Sequence, residues 1–389
     1  MISKSYNVLL VIVIIICGTI TTVASILIYN HSAYNSTSSK IVNDFKEVDR
    51  PKSLLLLSTS FSDNYFNDLY MKSFLDASNA FDYEAEVIDN ITDTQKCLAE
   101  IEKFNAKNGN VVFIPSLTQI DCINVAVVKY PKLKFVSELD KKITKSPNLK
   151  SVSTKFYIIQ YLTGIIAAKI SSSNVFGFVV SNLDSVTIRA INAFAIGTKN
   201  INPYSTVYVA VVDSANDASA NDAAKEKYMA EILYQRNPDI EVMNVMTSTD
   251  SVNKFCEINM RKCFGNNSHT IDVYPNSSIS TYEADFTVVY KNLLEDIKNG
   301  SFTPGTEWYG FNTDTIYLGR VNSRIVPYET LSVVDTIYHY LQNNNTQSVF
   351  VGPLWDNENS VRLESGEYLD DIGLLNMDWL VKGVEVIYE

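Results

Sequence analysis

Proton-transfer and metal chemistry need histidines, cysteines or carboxylates at fixed spacings, and this chain offers few. Its three histidines, His31, His269 and His339, are widely separated. No His-Glu-x-x-His or Cys-x-x-Cys spacing occurs, so no metal-ligand pattern is present. Gly-x-Ser-x-Gly, Gly-x-x-x-x-Gly-Lys and Gly-x-Gly-x-x-Gly are also absent, and 14 glycines are few for a phosphate cradle. The adjacent Asp370 and Asp371 lie in a polar stretch and read as solvated charges rather than an acid/base pair. These residues point away from an enzyme, and no cofactor is expected. Cys97, Cys122, Cys256 and Cys263 permit two disulfides. Chain order favours Cys97–Cys122 and Cys256–Cys263, while the other pairings and buried free thiols stay open.

The elements that must hold any site follow from the rest of the chain. With 389 residues, 46% of them hydrophobic, it can build one large α/β unit or two joined lobes. The formal net charge of -12 is spread along the sequence with no basic block, which argues against a nucleic-acid partner. Residues 8–29 carry no charge, a run of about 22 residues, long enough to cross a bilayer. Lys4 before it favours a short cytoplasmic stretch at 1–7 and an exported body. The run is longer than the apolar region of a cleaved signal peptide, so a signal anchor is the expectation over 8–29. Cys17 follows Ile16 where a lipoprotein site wants a small residue. The chain is therefore expected at the cell membrane as a single-pass protein, with the lipid bilayer as a partner and the body extracellular. Sequons at Asn30, Asn35, Asn90, Asn266, Asn276, Asn299 and Asn344 fit a glycosylated exported chain.

Residues 30–50 are polar and read as a flexible stalk. From Pro51 a regular alternation begins. Ser53–Thr59, Tyr83–Asp89, Asn110–Pro115 and Leu133–Val136 read as strands, with helical spacing over 63–80, 94–108 and 120–130 between them. The alternation repeats with helices at 156–171, 186–201 and 223–235 and strands at 175–180, 206–212, 240–246 and 271–274. Further helices are expected at 252–260, 286–299 and 328–343, short strands around 308–311 and 315–319, and a strand-like aromatic end over 376–388. The fold class is α/β: two Rossmann-like lobes facing a hinge cleft, preceded by one transmembrane helix. In open α/β sheets, ligands sit beyond the carboxyl ends of the strands, so two facing lobes share one cleft.

Five stretches, in order over roughly 52–385, resemble the basic membrane protein or PnrA-like family of substrate-binding lipoproteins. They are Ser62-Asp63-Asn64-Tyr65-Phe66; Phe156-Tyr157-x-x-x-Tyr161-Leu162-x-Gly164-x-x-Ala167-x-Lys169; Arg189-Ala-Ile-Asn192-Ala-Phe194-x-x-Gly197 with Asn200-x-Asn202-Pro203; Thr249-Asp250-Ser251; and Val351-Gly-Pro-Leu-x-Asp356 with Val361-Arg362 and Leu374-Leu-Asn-Met-Asp-Trp379-x-Val-x-Gly383. The resemblance implies a type I periplasmic-binding fold over 51–385 with three crossings between lobes. Lobe 1 takes about 51–155 and 280–302, and lobe 2 about 156–279 and 303–385.

It also implies a purine nucleoside or similar small polar ligand, handed to an importer permease or a membrane receptor partner. A nucleoside base wants aromatic faces, and its ribose wants acceptors for hydroxyls. On that reading Phe66 is a base face, Asp63 accepts from the base edge, and Asn67 and Ser116 stand beside them. Arg189 and Asn192 come from the first helix of lobe 2, and Asp213 and Asp250 end strands at the cleft. Phe286 stands where the family has a wall tryptophan. Asp63 and Asp250 also fit helix caps, Phe66 a core face, and Arg189 a surface ion pair. Glu283–Val288 lacks the family's Gly-Pro, and Ala215–Ala223 is an apparent insertion. The function expected is an extracytoplasmic solute-binding protein; the alternative is an interaction ectodomain that keeps the fold without binding nucleoside.

Overall fold

A computed structural model of the chain describes residues 50–60, 65–212, 222–265, 270–343 and 349–387, with the side chains of 65, 66 and 222 outside the description. The strands are β1 Lys52–Leu56, β2 Glu84–Ile88, β3 Val111–Ile114, β4 Lys134–Glu138, β5 Leu149–Thr154, β6 Val175–Val180, β7 Thr206–Val211, β8 Val242–Met246, β9 Lys262–Gly265, β10 Ser278–Ala284, β11 Gly305–Tyr309, β12 Ile316–Val321, β13 Leu354–Trp355, β14 Val361–Leu363 and β15 Val384–Ile387. The helices are α1 Tyr65–Ala80, α2 Thr94–Ala106, α3 Ile120–Lys129, α4 Tyr157–Ile170, α5 Ser185–Ile201, α6 Asp222–Arg236, α7 Ser251–Ile258, α8 Thr270–Val273, α9 Thr287–Asn299, α10 Tyr328–Asn343 and α11 Asp371–Leu375.

Two large sheets form. The first has the order β11-β5-β4-β3-β1-β2 and is parallel throughout. The second has the order β12-β10-β9-β8-β6-β7-β15, with only the β10–β12 pair antiparallel. Both contain the same doubly wound core, in which the order reverses between the first and third strands of the set. Those reversals, β1/β3 and β6/β8, open crevices at the carboxyl ends where ligands settle in such sheets. The chain crosses between sheets after β5, after β10 and after β11. Lys155 N–H donates to Tyr309 O at 2.7 Å and Asp285 N–H to Thr315 O at 2.8 Å, which ties the crossings to one another.

The apolar runs explain the layers. Successive side chains of a strand point to opposite faces. Leu54 and Leu56 of β1 pack with Ile101, Phe104 and Ile123 under α2 and α3, whereas Leu55 and Leu57 join Phe74, Phe113 and Leu294 under α1 and α9. The second sheet divides likewise: Val179, Met243 and Val245 meet Met229 and Leu233 of α6, while Phe176, Phe178 and Val209 meet Phe194 of α5. Asp93 accepts from Lys96 N–H at 2.8 Å to cap α2, Asp184 from Thr187 N–H at 2.9 Å to cap α5, and Gly300 ends α9 at φ 73°. Cys97–Cys122 fastens α2 to α3, and Cys256–Cys263 fastens α7 to β9.

Helices α4 and α5 approach through glycines. A Cβ at Gly164 would lie 2.2 Å from Phe194 O, and one at Gly197 would lie 2.2 Å from Tyr161 O. Gly164→Ala therefore forces packed backbones apart and lowers stability by roughly 2–3 kcal/mol. Urea unfolding measures this; an unmoved midpoint would show that the helices separate freely.

Three expectations change. The strand expected over 271–274 is the short helix α8, and β9 and β10 supply the pairing instead. Of the strand-like end, only Val384–Ile387 joins a sheet. The third concerns the membrane. The segment 8–29 lies outside the described residues, and no helix among the described residues is long and apolar enough to cross a bilayer. The longest of these, α5, has 17 residues and carries Arg189 and Lys199; it spans about 25 Å, short of the ~30 Å hydrocarbon core. The two-lobed α/β fold stands without the transmembrane helix. The signal anchor, the bilayer as a partner and the single-pass placement at the cell membrane are accordingly set aside.

Candidate functional site

The carboxyl edge of the first sheet carries a compact polar and aromatic cluster. Glu138 closes β4, partly buried, and accepts from Ser153 Oγ of β5 at 3.2 Å. Phe286, 5% exposed, sits before α9 with its ring 4.9 Å from Tyr70 of α1 and 5.9 Å from Tyr290 of α9. Burial pushes the Tyr70 and Tyr290 phenols well up, and the nearby Glu138 adds to both rises. Burial also pushes the Glu138 carboxyl up to about 8; the Ser153 hydrogen bond and Arg189 oppose the rise, and Asp184 adds to it.

Arg189 reaches this cluster from the second lobe. It is among the largest fully buried side chains, at 2% exposure. Nη1 donates to Leu374 O at 2.8 Å, and the guanidinium lies 5.3 Å from the ring of Trp308 on β11. Burial lowers its proton affinity, and Glu138, Tyr157, Asp184 and Asp140 counter that. For both Glu138 and Arg189, desolvation outweighs their mutual attraction. Arg189 thus joins α5 of one lobe to β11 of the other and to the C-terminal segment.

The remaining candidates fall in distinct places. Asn67 is buried and donates through Nδ2 to Thr59 Oγ1 at 2.7 Å and to Ser60 O at 3.2 Å, which ties α1 to the loop after β1. Ser116, after β3, exchanges a hydrogen bond with Thr118 Oγ1 at 2.8 Å. Both border the β1/β3 crevice. Asn192 is fully buried and holds the C-terminal segment: Nδ2 donates to Trp379 O at 2.8 Å, and Oδ1 accepts from Val381 N–H at 2.8 Å. Asp250 is exposed at the β6/β8 crevice and accepts from Tyr274 Oη at 2.6 Å. Its loop is pinned by the buried Glu226 of α6, which accepts from Ser248 N–H at 2.9 Å and Thr249 N–H at 3.0 Å. Asp63, the Phe66 side chain and Asp213 lie outside the described residues. Of the sequons, Asn90, Asn276 and Asn299 are exposed, while Asn30, Asn35, Asn266 and Asn344 are outside the description.

Arg189 is therefore brought against Trp308 of the first lobe and Phe286 between Tyr70 and Tyr290, Asn67 and Ser116 lie at one crevice, and Asp250 stands at the matching crevice of the other lobe. Glu138, Tyr70, Tyr290, Trp308 and Glu226 were missed in the sequence. A carboxylate two positions past the expected strand end at Val136 was the available signal for Glu138. Among the described residues, no three or more His, Cys, Asp or Glu side chains are grouped to hold a metal. A cavity of about 510 Å³ is lined by loop 139–147, Ser151, Gly305 and Leu375. Leu149 and Gly305 begin their strands, so much of it lies at the amino ends, away from where such sheets bind ligands.

Comparison with known proteins bears on this arrangement. Residues 50–326 match the family model described as ABC transporter substrate-binding protein PnrA-like. A purine-binding protein of Brucella abortus (strain 2308) is 23% identical over 304 residues, covering 78% of this chain and 83% of the relative. A solved ABC transporter solute-binding protein of Conexibacter woesei superposes with TM-score 0.61 at 17% identity, over 76% of this chain and 97% of its own. A transcriptional activator of the comK gene from Bacillus halodurans superposes with TM-score 0.64 at 16% identity, over 76% and 99%. At such identities the two structures attest the fold alone.

Proposed function

Because the chain belongs to the PnrA-like family of ABC transporter substrate-binding proteins, a family of binding proteins rather than enzymes, we propose that it holds a purine nucleoside or a closely similar small polar solute between its two lobes. The observation that carries this reading is the contact of Arg189 from one lobe with Trp308 of the other, at the sheet edge that also bears Glu138 and the Tyr70–Phe286–Tyr290 group. Flat aromatic faces beside a few convergent polar groups suit a heteroaromatic base. The purine-binding relative supports that choice of ligand.

In this reading Phe66 and Phe286 face the base, and Glu138 and Asp63 accept from its edge. Asn67 and Ser116 shape the β1/β3 crevice, and Arg189 and Asn192 set the facing wall. Asp213 and Asp250 accept from ribose hydroxyls. Delivery to a membrane permease is the partnership the family implies. One observation favours a second reading, an interaction module that keeps the fold without nucleoside. Asn192 and Arg189 already spend hydrogen bonds on residues 374–381 of the same chain.

Isothermal calorimetry with adenosine, guanosine and inosine tests the proposal. The expected result is micromolar or tighter binding, weakened about 10–100-fold by Asp250→Ala through loss of a charged acceptor. No heat from a folded sample with any nucleoside would sink it in favour of the second reading.

A further inference from the structure

The C-terminal hairpin presents an apolar outer face that nothing in the cleft uses. Residues 351–356 run against 360–368. Val351 pairs with Tyr368, and Trp355 with Val361, as opposite residues. Directly opposed residues of an antiparallel pair share a face. All four are exposed: Val351 at 40%, Trp355 at 42%, Val361 at 49% and Tyr368 at 51%. Leu363 pairs with Leu354, the neighbour of Trp355, across a register shift that sets it on the opposite face from Val361, and it is buried in the main core with Phe350 and Val381. The hairpin therefore has an inner face that is spent and an outer face that is not.

The hairpin is held in one shape. The buried Asp356 carboxylate accepts from Arg362 Nε at 2.7 Å, Ser360 N–H at 2.8 Å and Glu358 N–H at 2.9 Å. The Arg362 guanidinium in turn lies 5.6 Å from the Trp379 ring. Gly352 N–H donates to Glu367 O at 2.8 Å, and Leu369 N–H to Phe350 O at 3.1 Å. A binding face fixed in advance loses little freedom on association. Exposed tryptophan and tyrosine on such a face are the residues enriched at the centres of protein interfaces.

Charge selects the occupant. Residues 351–372 hold six carboxylates against one arginine, and that arginine is engaged by Asp356. Glu358, Glu364, Glu367 and Asp370 are exposed around the apolar pairs. A second copy would set acid against acid, in a chain whose net charge is -12. An anionic lipid surface or a nucleic acid meets the same repulsion. We propose that the outer face of the 351–368 hairpin is a docking surface for a basic protein segment bearing apolar side chains. The surface is independent of the cleft and of what the cleft binds.

A fluorescein-labelled 14-residue amphipathic peptide of leucine and lysine is the probe, read by anisotropy on the full chain. Its leucine–glutamate counterpart is the charge control. Trp355→Ser with Tyr368→Ser leaves the charge unchanged and is expected to weaken the lysine peptide at least 10-fold. Glu364→Lys with Glu367→Lys is expected to weaken it too and to admit the glutamate peptide. Equal affinity for the lysine peptide in the serine variant would reduce the effect to bulk charge and overturn the proposal. Two other outcomes would also overturn it: binding to phosphatidylserine vesicles, or a sedimenting dimer, that the serine variant abolishes.

Discussion

Arg189→Ala lowers the stability of the folded chain by roughly 3–5 kcal/mol, the scale for truncating a large buried side chain together with its polar contacts. The loss has three sources. The Nη1 hydrogen bond to Leu374 O disappears, so the C-terminal segment loses an anchor. The Trp308 ring loses its cation, and with it a contact between the lobes. A space opens where one of the largest fully buried side chains stood. Urea unfolding gives the number, with the midpoint falling and the slope unchanged. Arg189→Met keeps most of the volume and is expected to recover part of the loss. In a double-mutant cycle above pH 8, where Glu138 is ionised, Glu138→Gln changes stability differently in the wild-type and Arg189→Met backgrounds, because the guanidinium favours the carboxylate. Full stability in Arg189→Ala would mean that the guanidinium does not work as an interlobe tie.

The second large effect is a stability that declines as pH rises from about 5 to 8. The folded chain holds the Glu138 proton up to about 8, against an ordinary value of 4.5. Between those values the unfolded chain has released a proton that the folded chain keeps. The folded state binds more protons there, so raising the pH disfavours it, by about 1.4 kcal/mol per pH unit at most. Summed to pH 8 this is on the order of 3–5 kcal/mol, and above pH 8 the slope vanishes. Burial also holds the Glu226 carboxyl up, which adds a smaller slope of the same sign. Against burial, which raises them, hydrogen bonds hold the Asp356 and Glu241 carboxyls below their ordinary values, so the stability these two contribute is lost only as pH falls into acid. Glu138→Gln is expected to flatten the decline between pH 5 and 8. Denaturation midpoints at unit pH steps measure it, and equal slopes in both proteins would exclude Glu138 as the titrating group.

The cleft was legible in part. A polar residue closing an apolar run is visible in a sequence, and the positions of Ser116 and Asp250 at strand ends were read that way. What their side chains bond to was not visible. Asp250 fitted a cap for α7, yet its side chain makes no cap bond and accepts from Tyr274 instead. Asn192 was read as facing a ligand, and its amide is turned onto residues 379 and 381, nearly 190 positions away in the chain. Glu138 escaped because Lys134–Val136 reads as a strand without it, and its raised proton affinity arises from helices and a lobe that come from elsewhere in the chain.

By itself the sequence determined the alternation of buried strands and amphipathic helices, because periodicity is set by backbone geometry and acts locally. It determined that β1 and β3 serve two cores, since Leu54–Leu57 and Val111–Ile114 have no polar face to turn outward. Only the tertiary structure decided which strands share a sheet, because β5 and β11 pair across some 150 residues that no local pattern records. It also decided the chemistry of the cleft. Proton affinity and hydrogen-bond partners depend on what surrounds a group in space, and Arg189 meets Trp308 and acts on Glu138 only once the two lobes have formed against each other.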